Sequence, residues 1–178
     1  MSVEHLKNID DRELWDRYVD GSDEAFNLLR ERHVPDLVHY LGLSLHDMQA
    51  AARAAVEVVR LAAAWRRPFE GFTSPRAWLF AIATQNFVPP YAREQEGLLD
   101  FVQEMKDRKA LGEEAMWRRA LNDMRREIRQ PFLLVAVAGL SIEQTAAACR
   151  FSEEQVEKNL AIGYRRLARE NASSEGDE

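Results

Sequence analysis

The sequence predicts an all-α fold in two small helical domains joined by a charged linker. Three observations predict it. Apolar residues recur at helical spacing along most of the chain, and strand signals are absent. Good N-capping residues stand just before those runs, at Asp10, Ser22, Asp47, Ser74, Ser141 and Ser152. Between residues 93 and 114 the periodic pattern gives way to charge, with 4 Lys/Arg and 7 Asp/Glu, which marks a tether. The divisions that follow are a first domain over 1–92, a linker over 93–114, a second domain over 115–171 and a disordered acidic tail over 172–178.

Asp10 caps a helix carrying Leu14, Trp15, Tyr18 and Val19, and Gly21 ends it. Ser22 opens a second helix that turns Ala25, Phe26, Leu28 and Leu29 toward a core. Pro35 is expected to kink or break that helix before Leu37–Leu41, and Gly42 to close it. Asp47 caps a third helix, apolar nearly all round from Met48 through Val56 to Ala62, which calls for burial or for cover by a partner. The stretch Trp65–Pro75 breaks periodicity with two prolines and a glycine. Ser74 and Pro75 then make a capping serine with proline at the first helical position, and the helix Arg76–Val88 buries Trp78, Leu79 and Ile82 until Pro89-Pro90 stops it. In the second domain Trp117, Leu121 and Met124 line one helix, and Ile128 to Val137 form the next around Pro131.

Composition narrows the function classes. No run approaches the roughly 20 apolar residues a membrane span needs, and the first ten residues lack a signal-peptide pattern. A single cysteine, Cys149, excludes an internal disulfide and a cysteine-built zinc site. These features point to the cytoplasm. The four histidines show no ligand spacing, and there is no phosphate-binding glycine loop, nucleophile elbow or carboxylate pair. The expectation is a protein without metal, cofactor or enzymatic activity. Net charge is −6, yet residues 115–171 carry 10 Lys/Arg against 7 Asp/Glu, so cationic surface concentrates in the second domain.

Two stretches carry candidate chemistry. Trp65–Pro75 holds two arginines and three aromatics in eleven residues. Guanidinium groups interleaved with rings suit single-stranded DNA, where each stacked base contributes about 1–3 kcal/mol. The candidates are Arg66, Arg67, Phe69, Phe72 and Arg76, with Thr73 as a hydrogen bonder. Equally, the rings can staple the loop to the core and leave the arginines solvated. Gly139–Arg169 forms two short helices about the turn Arg150-Phe151-Ser152, with small residues at Ala146, Ala147 and Ala148. That pattern fits a DNA-binding helix-turn-helix and also an ordinary helical hairpin.

The order of parts resembles the extracytoplasmic-function sigma factors of bacterial RNA polymerase over roughly Asp10 to Arg169. Three signatures carry the resemblance: the opening DRELWDRYVDGSDEAFNLLRERHVPDLVHYL, the helix SPRAWLFAIATQNF, and the C-terminal hairpin with Gly139-Leu140-Ser141, Val156, Leu160 and Arg165-Arg166-Leu167. The resemblance implies an initiation factor whose partners are core RNA polymerase and promoter DNA. It implies that the helix from Asp47 to Trp65 docks on polymerase, with Asp47 and Glu57 as its acidic contacts. It implies that Trp65–Pro75 melts and reads the downstream promoter element. The last helix would enter the upstream major groove, with Gln155, Lys158 and Asn159 facing bases and Arg165 and Arg166 facing phosphates. The sequence departs from that pattern in its Ala-rich docking helix and in a last helix of only four positive to three negative charges from Glu153 to Arg169. The alternative is a sigma-like protein that binds a regulatory partner of the anti-sigma type without promoter-specific DNA binding.

Overall fold

A computed structural model describes residues 8–65, 72–88 and 120–174. Every regular element among the described residues is helical. In order they are α1 (Asp11–Val19), α2 (Asp23–Leu45), α3 (Met48–Ala64), α4 (Pro75–Phe87), α5 (Arg126–Ala136), α6 (Ile142–Cys149) and α7 (Glu153–Ser174). The linker, Arg66, Arg67, Phe69 and Trp117 lie outside the described residues.

The capping residues form the contacts their chemistry dictates. Asp10, Ser22, Asp47, Ser74 and Ser152 each accept from the backbone N–H three residues on, at 2.8–3.3 Å. Ser141 and Gln144 form a reciprocal capping box at 3.0 and 3.1 Å. Gly21, at φ 106°, ends α1, and the Ser22 N–H closes back on the Arg17 carbonyl at 2.9 Å.

Two expectations for α2 are corrected. The helix runs unbroken for 23 residues with Pro35 inside it. Leu29 and His33 before the proline and Leu37, Tyr40 and Leu41 after it are all buried, and that packing holds both halves in one helix despite the missing N–H. Gly42 does not close the helix; His46 caps it instead, in a left-handed conformation at φ 56°. Gly42 serves close approach, since a Cβ there would lie 2.5 Å from the Met48 sulfur. The tail expectation also shifts, because α7 continues to Ser174.

Helices α1–α4 pack around Leu14, Trp15, Leu37 and Phe80, all essentially inaccessible. Trp15 meets Tyr18, Phe26 and Trp78 edge-on, with ring centroids 5.4, 6.4 and 5.0 Å apart. Helices α5–α7 pack around Phe132, Leu133, Leu134 and Val156. Gly163 lets α7 cross α5 closely, since a Cβ there would lie 2.9 Å from the buried Phe132 ring. The two groups do not stand apart. Helix α6 packs extensively on α4, α5 touches α2, and the apolar core is continuous through both groups.

Candidate nucleic-acid interface

The first candidate region begins where Ser74 caps α4. Thr73 is exposed, but its hydroxyl accepts from Gln144 Nε2 of α6 at 2.7 Å. Phe72 is half-buried against the core, as a stapling ring. Arg76 is more engaged still. Its Nε and Nη2 both donate to the Ala138 carbonyl, at 3.1 and 2.7 Å. Its Nη2 also meets Asp36 Oδ2 at 2.8 Å, and its guanidinium lies 5.1 Å from the Phe80 ring centroid. Its Nη1 stands 3.1 Å from His33 Nδ1. Because a guanidinium can only donate, Nδ1 is the acceptor there, and the ring proton on Nε2 donates to Asp11 Oδ2 at 2.7 Å. In this conformation Arg76 ties three elements together and is not free for a phosphate, which corrects its sequence-based reading.

The second candidate region is α7. Gln155, Lys158, Arg165 and Arg166 are exposed. Arg165 Nε bonds within its own helix, to the Ala161 carbonyl at 3.1 Å. Arg166 lies 3.8 Å from Asp123, a loose surface pair of small stabilising effect. Asn159 departs from expectation. It is 4% exposed, donates to the Glu127 carbonyl at 2.7 Å and accepts from Gln155 Nε2 at 3.0 Å. It therefore anchors α7 to the start of α5 and does not face a groove. The hairpin turn is made by Arg150 at φ 58°, whose Nη2 donates to Gln85 Oε1 of α4 at 2.9 Å.

The proposed docking helix, α3, carries little acid. Asp47 spends its carboxylate on the cap, and Glu57 pairs with Arg60 at 2.7 Å. Val56 is 65% exposed beside the exposed Arg53 and Arg60, so the outer face of α3 is apolar and basic. Among the described residues there is no metal-type cluster of His, Cys, Asp or Glu, and no helix is long and apolar enough to cross a membrane.

Buried polar contacts run between the two helix groups. The Tyr40 hydroxyl donates to Gln130 Oε1 at 2.7 Å and stands 2.7 Å from Thr84 Oγ1. Burial pushes the Tyr40 phenol far above its ordinary range. His46 Nε2 accepts from Arg129 at 3.2 Å. Burial first, and the Arg129 charge second, pull His46 down to about 4. The His33 hydrogen bond, aided by Arg32 and opposed by burial, holds Asp11 at about 2. The sequence pattern flagged none of Tyr40, Gln130, His33 or Gln144 for these roles, since each depends on a residue more than twenty positions away.

The His46 shift sets a pH dependence. The unfolded histidine takes up a proton near pH 6.5 and the folded one only near 4, so the fold loses stability as pH falls between those values. The loss amounts to roughly 3 kcal/mol at most. A second loss follows below pH 3.8, as Asp11 is protonated on the way to about 2. Thermal melts from pH 7.5 to 4 should show the first decline. His46→Asn, which tolerates the left-handed backbone and does not titrate, should flatten it. Parallel declines in both proteins would remove His46 as the cause.

No protein-family model matches the chain. The ECF RNA polymerase sigma factor SigX of Bacillus subtilis (strain 168) is 26% identical over 160 residues, 82% of each chain. The solved structure of CnrH in complex with the cytosolic domain of CnrY matches the fold with a TM-score of 0.65 at 22% identity. That match covers 94% of this chain and 99% of the solved one. Over most of its length the chain is similar to an extracytoplasmic-function sigma factor. The likeness in fold runs through both helix groups.

Proposed function

We propose that this chain is an RNA polymerase sigma factor that directs core enzyme to a set of promoters and initiates transcription there. The observation that carries the reading is the ordered match to SigX across 82% of both chains. The exposed cations of α7 add to it. Lys158, Arg165 and Arg166 lie on solvent-facing turns of a helix whose apolar stripe, Val156, Leu160 and Leu167, is buried. Such a helix can lie along duplex DNA, with Gln155 and Lys158 toward base edges and the arginines toward phosphates. At the other end, the exposed Thr73 with the loop before it would hold an unpaired strand. The factor performs no covalent chemistry; capture of unstacked bases favours the open strand. The reading keeps a division into a first domain over 1–92, a linker over 93–114 and a second domain over 115–171. The test is transcription with purified core enzyme on fragmented genomic template. Specific transcripts that require this chain are expected, and their absence from every template would overturn the reading.

A second reading rests on α3. Its outer face offers Val56 between Arg53 and Arg60 where a polymerase-docking helix of the family would be acidic. A regulatory protein with acidic and apolar side chains fits that face. Affinity capture separates the two: polymerase subunits support the first reading, and a small regulator alone supports the second.

A further inference from the structure

A cleft of about 240 Å3 lies between α4, α5 and the corner that joins α6 to α7. Gln85 of α4, Arg126 and Gln130 of α5, and Cys149, Arg150 and Phe151 at the corner line it. Gln130 is 3% exposed. The Tyr40 and Ser44 hydroxyls donate to its Oε1, at 2.7 and 3.3 Å. Its Nε2 is buried and has no hydrogen-bond partner among the described residues. Arg126 repeats the pattern. Its Nη2 donates to the Val88 carbonyl at 3.0 Å, while its Nε is buried and unpartnered among the described residues. A buried donor without an acceptor is unfavourable, and two beside one cleft call for an acceptor from outside the chain.

Charge decides what that acceptor is. Arg126 and Arg150 bring two positive charges to the cleft, against one negative charge on Glu127 at its exposed rim. Cys149 adds none: burial pushes its thiol up to about 12, with the Arg126 charge opposing, so it stays neutral near pH 7. Gln85 braces the Arg150 guanidinium, accepting from its Nη2 at 2.9 Å while donating to the Ala148 carbonyl at 3.2 Å. Phe151, half-buried against the core, supplies an apolar side. The volume falls below the roughly 300–1,000 Å3 of drug-sized sites, so the occupant is small. We propose that this cleft binds a small carboxylate with an apolar body. Gln130 Nε2, Arg126 and Arg150 donate to the carboxylate, in charge-assisted bonds, and the body lies against Phe151. The site uses none of the residues assigned to DNA or polymerase, and it stands whether or not the chain starts transcription.

Benzoate, a minimal carboxylate with a ring, is the probe, titrated into the full chain with isotopically labelled nitrogen. The side-chain amide signals of Gln130 and Gln85 and the backbone signals of Ala148 to Phe151 should shift and saturate. A Kd on the order of 1 mM is expected for so small a ligand. Benzamide keeps the ring without the charge and should bind at least about tenfold more weakly. Inorganic phosphate keeps the charge without the ring and should do the same. Arg150→Asn removes one cation, and asparagine tolerates the left-handed backbone there. It should weaken benzoate binding about tenfold while signals away from the corner keep their positions. No saturable shift at those signals up to roughly tenfold above the expected Kd overturns the site and leaves water as its occupant. Benzamide binding as tightly as benzoate overturns recognition by charge. Phosphate binding as tightly overturns the carboxylate class. Undiminished benzoate binding by Arg150→Asn overturns the part given to that arginine. The titrations of the unaltered chain decide the site even if that variant fails to fold.

Discussion

Trp15→Ala should cost about 3–5 kcal/mol of folding stability, the range for truncating a buried tryptophan. Trp15 is 1% exposed and joins α1 to α4 through the Trp78 ring at a 5.0 Å centroid distance. Removing it leaves a cavity that Tyr18, Phe26 and Trp78 must line, and three edge-on ring contacts disappear together. Urea unfolding of the two proteins measures the difference. Trp15→Phe should recover more than half of it, because a ring still fills most of the space. A loss below about 1 kcal/mol for the alanine variant would mean that α1 is not part of the cooperative core.

Reversing Arg165 and Arg166 together to glutamate should reduce promoter binding about a hundredfold or more at physiological salt, with polymerase binding and folding unchanged. Both arginines are exposed, and neither has a buried partner, so the fold loses little. If each meets one phosphate, the slope of log affinity against log salt should become shallower by about 2. Fluorescence anisotropy with a promoter duplex across a salt series gives both numbers. An unchanged slope would place the duplex elsewhere. Loss of polymerase binding in the same variant would show that the two ends of the chain do not act separately.

Much of the secondary structure was legible because it rests on local chemistry. A capping serine or aspartate needs only the N–H three residues away, so Asp10, Ser22, Asp47, Ser74, Ser141 and Ser152 read correctly from order alone. Pro35 misled because its effect on α2 is decided by what packs on either side of it, not by the proline. Gly42 misled for the same reason: Met48, six residues on, lies so close that its side chain would have to shift to admit a Cβ there. The exposed residues of α7 could be assigned from helical phase. Asn159 could not, since the Glu127 carbonyl that claims it lies on another helix. Arg76 is the clearest case. A basic residue at the start of a helix beside aromatics suggests a nucleic acid, and only the arrival of Ala138 from sixty-two positions away reveals an intramolecular acceptor.

Arg150 draws opposite demands onto one position. Its backbone sits at φ 58°, where glycine is at ease and a branched or long side chain is strained, while its guanidinium reaches α4. Glycine there would relax the corner between α6 and α7 yet forfeit the bond to Gln85. A substitution at this residue therefore sets the ease of a single bend against a tie between two helix groups.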